Sequence, residues 1–82
     1  MRGAGNILNG LKYKGKLGGS KITFIHRGLP GDKKLIEGPL VTEVKQGHFN
    51  YLSEEGGTTI PNHRILEIVS EGKVLWRKRI KA

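Results

Sequence analysis

The sequence predicts an α+β domain, with an N-terminal helix packed on a small, strongly curved antiparallel sheet or barrel of about five strands. Three observations carry this expectation. Apolar residues recur with helical spacing in one early segment, at Ile7, Leu8 and Leu11. After Ser20 the apolar period falls to two. Short runs rich in β-branched and aromatic residues then follow one another, separated by turn signals at close spacing. The chain is read as one domain, residues 1–82, with a helix and a flexible basic loop in 1–20 and antiparallel sheet in 21–80.

The elements follow in order. Asn6 is the expected N-cap of the helix and Gly15 its expected stop. Gly10 inside the helix costs about 1 kcal/mol relative to alanine, so the helix is expected to lean on the sheet. "KGKLGGSK" reads as the basic loop. In "KITFIHR", Ile22, Phe24 and His26 share one face and Thr23, Ile25 and Arg27 the other, the pattern of a strand covered on both sides near its middle. Pro30-Gly31 suits the two central positions of a type II turn. "KKLIEGPLVTEV" continues as extended chain, with an edge or a bend expected at Gly38-Pro39, because proline lacks a ladder donor. "VTEVKQGHFNYL" reads as a hairpin about Gln46-Gly47, with Phe49 and Tyr51 facing one way. "SEEGG" is the next turn, "TTI" a short strand meeting Pro61, and "HRILEIV", "SEG" and "KVLWRKRI" form the clearest hairpin.

Charge narrows the function classes. Fifteen Lys and Arg against seven Asp and Glu give a formal charge of +8 and a pI near 10.1. So strong a positive field on a small domain attracts polyanions, and nucleic acid is the commonest of these. The bland alternative is a solvated lysine surface that keeps the protein soluble. With no cysteine there is no disulfide, and zinc would need His and carboxylates alone. The histidines lack metal-ligand spacing, so no metal and no cofactor are expected. No apolar run approaches the ~18 residues of a membrane span, and residues 1–20 hold no secretory apolar core, so a cytoplasmic protein with no membrane association is the expectation.

Two His-Arg dipeptides stand out, His26-Arg27 and His63-Arg64. Strand alternation would set Arg64 with Leu66 and Ile68, and His63 with Ile65, Glu67 and Val69. An arginine opening an apolar stripe needs a partner. That partner is either a bound anion, read by the guanidinium fork beside a histidine donor, or a carboxylate such as Glu67 or Glu43. His26-Arg27 precedes a glycine-containing turn, followed by Lys33 and Lys34, that can form an anion-binding concavity, although the turn is complete without one. In "WRKRIKA", Arg77, Lys78, Arg79 and Lys81 flank Trp76, which is expected in the core with Val74 rather than stacked on a base. Lys33, Lys34, Arg77 and Arg79 are the expected contacts to an RNA backbone. Signals for catalysis are thin. His26 and His63 could act as acid and base on a phosphodiester, but neither is followed two residues later by Ser or Thr, and no phosphate loop or nucleophile elbow is present.

"ILNGLKY", "ITFIHRGLPGDKK", "GHFNYL" and above all "IPNHRILEI…GKVLWRK" resemble a small archaeal family, the RNA cyclic group end recognition domain. The likeness spans residues 7–79, and its most specific part is Ile-Pro-x-His-Arg-Ile at residues 60–65, ahead of a hairpin ending in Val-Leu-Trp. It departs in the first loop, where "KYKGKLGGSK" is shorter and more basic than the acidic, Trp- and Pro-containing stretch often found there. The resemblance implies an RNA-binding module that recognises ends carrying a 2′,3′-cyclic phosphate in RNA processing or repair, alongside processing or repair enzymes. By position it assigns His26, Arg27, His63 and Arg64 to the phosphate. Two other readings stay open: a small phosphodiesterase using His26 and His63, and a general nucleic-acid binder with no end preference.

Overall fold

The computed structural model describes residues 3–26 and 30–78, so Arg27 and Arg79 of the expected site lie outside the described residues. Helix α1 spans Ala4–Tyr13 and buries Ala4, Leu8 and Leu11, spaced i, i+4 and i+7 along one stripe. Because that stripe begins at Ala4, the N-cap is Gly3 rather than Asn6, which sits exposed in the first turn. The stop is as read from the sequence. Gly15, at φ +68°, donates its N–H to the Lys12 carbonyl at 3.2 Å, and Lys16 donates to Leu11 at 2.9 Å. This pair of bonds is a Schellman motif, which favours glycine at the left-handed position.

Seven strands follow among the described residues: β1 Ser20–Ile25, β2 Lys33–Glu37, β3 Val41–Val44, β4 His48–Ser53, β5 Gly56–Pro61, β6 Ile65–Ser70 and β7 Lys73–Arg77. They form two antiparallel sheets, one in the order β2-β1-β6-β7 and one in the order β3-β4-β5, rather than a closed barrel. The fold class is the α+β arrangement expected. The strand count exceeds five because "KKLIEGPLVTEV" divides at a 3₁₀ turn, Gly38–Leu40, and passes from the first sheet to the second. Glycine is required at that crossing. A Cβ on Gly38 would coincide with the Leu17 carbonyl oxygen and the Ser20 hydroxyl.

The hairpins are set by their turns. Between β1 and β2 the His26 N–H donates to the Asp32 carbonyl at 2.8 Å, and Gly31 adopts φ 73°, ψ 4°, the values needed at the second central position of a type II turn. Between β6 and β7, Glu71 and Gly72 both take positive φ (52° and 80°), the type I′ turn that matches the twist of the strands it joins.

The two sheets and α1 share one apolar cluster. Ile22 pairs across both its neighbours with Ile36 and Ile68. From the second sheet, Phe49 and Tyr51 point inward together, as their alternation predicted, and meet Phe24 at ring separations of 5.9 and 5.5 Å. Trp76 packs partly buried against the cluster, whereas Val74 is half exposed. A shift in register between Ile68↔Trp76 and Val69↔Val74 turns Val74 outward, so the expected pairing of Trp76 with Val74 in the core is not made. Among the described residues no helix is long and apolar enough to cross a membrane.

Candidate functional site

Antiparallel order decides where the basic residues go. In the β2-β1-β6-β7 sheet, β2 and β6 begin at the same end at which β1 and β7 finish. That end is therefore lined in sequence across the sheet by Lys33 and Lys34, then His26, then His63 and Arg64, then Arg77 and Lys78. The registers fix the row: Ile25 pairs with Lys33, Phe24 with Ile65, and Glu67 with Arg77. Of the residues expected at a phosphate or RNA-backbone site, every one that is described lies on this rim.

The strands distribute their side chains over the two faces of the rim. His26 lies on the inner face with Phe24, at a ring separation of 6.3 Å, as its alternation predicted. It lines a cavity of about 260 Å³ with Lys34, Tyr51 and the β4–β5 turn residues Glu54 and Glu55. The Lys34 ammonium stands 5.6 Å from the centre of the Tyr51 ring, within cation–π range. On the outer face a broader depression of about 440 Å³ is lined by Thr23, Lys33, Leu66, Glu67, Arg77 and Lys78. Here Arg77 binds Glu67 through Nε at 2.9 Å and through its second guanidinium nitrogen at 2.8 Å. The pair is largely exposed and contributes about 0–1 kcal/mol. It neutralises one cation and leaves Lys33 and Lys78 to set the sign of the surface.

His63 and Arg64 depart from the strand geometry expected of them. They sit in a 3₁₀ turn, Asn62–Arg64, ahead of β6, and both are exposed. The reason is a bulge: Thr23 faces Glu67 while Phe24 faces Ile65, so Leu66 is an extra residue and simple alternation breaks. Arg64 therefore opens no apolar stripe, and the buried apolar positions of β6 are Ile65 and Ile68. Neither expected carboxylate partner takes it, since Glu67 holds Arg77 and Glu43 holds Lys45 at 3.2 Å. Among the described residues Arg64 has no ion pair. The turn is tied down by the Asn62 N–H on the Gly47 carbonyl at 2.9 Å and by the Lys78 ammonium on the His63 carbonyl at 2.8 Å.

Lys78 is thus a rim residue that the sequence placed only within a basic run. Its link to His63 arises from a register that no local pattern displays. The two histidines do not share a cavity: His63 is not among the residues lining the one that holds His26. Among the described residues no group of three His, Asp or Glu could hold a metal ion.

What this arrangement can do chemically is bind an anion. The exposed guanidinium of Arg64, next in sequence to His63 and without a carboxylate partner among the described residues, offers directed N–H donors for phosphate oxygens. The lysines to either side offer unsaturated charge for a longer polyanion.

Comparison with known proteins agrees with the resemblance seen in the residues. The family model described as the MJ1316 RNA cyclic group end recognition domain matches residues 1–78. A UPF0248 protein of Methanococcus maripaludis strain C7 is 42% identical over 60 residues, covering 71% of this chain and 72% of the relative. A UPF0248 protein of Thermococcus sibiricus is 41% identical over 59 residues, covering 71% of this chain and 62% of the relative. No solved structure matches the chain. The chain belongs to the MJ1316 RNA cyclic group end recognition domain family.

Proposed function

We propose that this domain binds RNA along the rim of the four-stranded sheet and recognises ends that carry a 2′,3′-cyclic phosphate, as a module of RNA processing or repair. The observation that carries the reading is the unpaired Arg64, held beside His63 in a pinned turn at the centre of a basic row. A cyclic phosphate has one negative charge and two exposed oxygens. A guanidinium fork and a histidine donor match that pattern, and the absence of a free terminal hydroxyl distinguishes this end from an ordinary one. Lys33 and Lys78 then carry the salt-dependent contact to the neighbouring backbone, with a smaller share from Lys34, whose cavity also holds Glu54 and Glu55, and from Arg77, which is paired with Glu67. Arg27 and Arg79, which lie outside the described residues, are proposed as further contacts because they follow His26 and Lys78 in sequence. His26 takes a flanking role, because Glu54 and Glu55 line its cavity and disfavour a phosphate there. Enzymes associated with the domain would supply any chemistry at the RNA end.

The reading in which His26 and His63 act as acid and base asks both to reach one phosphorus atom. His26 lines the cavity beside Tyr51 and His63 does not, which favours binding instead. The test is a titration of matched short RNAs ending in 2′,3′-cyclic phosphate, 3′-phosphate or 3′-hydroxyl, with end-group turnover followed in the same samples. The expected result is tightest binding of the cyclic end without turnover. Equal affinities for the three ends would leave a general RNA binder, and turnover lost in His63→Ala would establish the enzyme.

A further inference from the structure

A separate cavity of about 430 Å³ opens between the first turns of α1 and the β3–β4 turn, with four carboxamides in its lining: Asn6, Asn9, Gln46 and Asn62. Asn6 and Asn9 stand one helical turn apart on the same face of α1. Asn62 enters from the turn that carries His63 and Arg64, and its side-chain amide packs so closely on Gly5 that a Cβ there would collide with it. Its Oδ1 is buried and has no hydrogen-bond partner among the described residues. A buried carbonyl oxygen without a donor is uncommon, because its lost hydration is not replaced.

We propose that this amide-lined cavity is a nucleobase subsite for the terminal nucleotides of the bound RNA. The proposal rests on the RNA-end reading above and extends it from the phosphate to the base. Carboxamides present a donor and an acceptor side by side, the complement of a base edge, which in single-stranded RNA is free to be read. An anion would need more positive charge than Lys45 supplies, and Lys45 already holds Glu43. The volume lies in the range of small-ligand sites. Position fixes which base it is. Asn62 directly precedes His63 and Arg64, so a base seated here belongs to the nucleotide whose phosphate meets Arg64 or to its immediate neighbour.

Two measurements on the full chain test this. In the first, the four nucleosides, which carry no phosphate, are titrated while the side-chain amide resonances of Asn6, Asn9 and Gln46 are followed by NMR. At least one nucleoside shifts them, and Asn9→Ala removes the response; no shift with any nucleoside overturns the subsite. In the second, RNAs sharing a 2′,3′-cyclic phosphate but differing in the last two bases, with abasic versions, are compared. The expected spread in affinity is about tenfold or more, the discrimination of one good bidentate base contact. It flattens in Asn9→Ala and Gln46→Ala, both exposed positions, while preference for the cyclic end is kept. A persistent end preference with no base spread overturns the subsite alone. Shifted amides with equal affinity for all ends overturn the end reading and leave the subsite standing.

Discussion

Phe24→Ala is expected to remove about 3–5 kcal/mol of stability, the usual cost of deleting a buried aromatic ring. Phe24 has no exposed surface, and it is the side chain through which the first sheet meets Phe49 and Tyr51 of the second. At the usual ~0.05–0.15 kcal/mol per residue, a chain of 82 residues holds a total of about 4–12 kcal/mol. The substitution therefore takes a large share of what there is. Urea unfolding followed by circular dichroism measures it, and Phe24→Leu should recover a substantial part. A loss below about 1 kcal/mol would mean that the two sheets do not depend on a common core.

Arg64→Ala is expected to do the opposite, leaving stability within about 0.5 kcal/mol, as for exposed residues without structural partners. Affinity for an RNA ending in 2′,3′-cyclic phosphate should nonetheless fall about tenfold or more, since hydrogen bonds to a charged group contribute roughly 1.5–3 kcal/mol. Arg64→Lys should restore little of it, because an ammonium cannot present the planar fork. Lys33→Ala should act differently, weakening all RNAs alike and lowering the salt slope of binding by about one. Lys78→Ala should lower the slope similarly and also reduce the preference for the cyclic end, because it releases the His63 carbonyl. Lys21 and Lys73, at the far end of the same sheet, serve as controls whose removal should leave both quantities unchanged. Fluorescence anisotropy across a salt series reads all four variants.

Much of the architecture is legible in the residues because it depends on local rules. Leu8 and Leu11 mark the helix, Gly15 its end, Gly47 and Gly72 their turns, and the alternation about Phe49 and Tyr51 the inward face of a strand. Local rules fail where the outcome depends on a distant partner. The Leu66 bulge exists only in relation to Thr23 and Phe24 of β1, so "HRILEIV" reads as unbroken alternation and sets Arg64 on the wrong footing. Similarly, the His-Arg dipeptides identify candidate residues. That β2, β1, β6 and β7 assemble in that order, bringing their basic ends to one rim, is a property of long-range pairing. The amide cavity was the least legible feature. Its side chains come from α1, the β3–β4 turn and the turn before β6, and asparagines on loops and helix surfaces carry no pattern of their own.

The most direct test of the central claim is a backbone amide map of the ¹⁵N-labelled protein as a short RNA with a 2′,3′-cyclic phosphate is added. The account predicts the largest changes along the rim, at Lys33, Lys34, His63, Arg64, Arg77 and Lys78, with the opposite end of the sheet, at Ser20, Glu37 and Lys73, unmoved. Changes confined to that opposite end, with Arg64 and its neighbours unmoved at saturation, would contradict it.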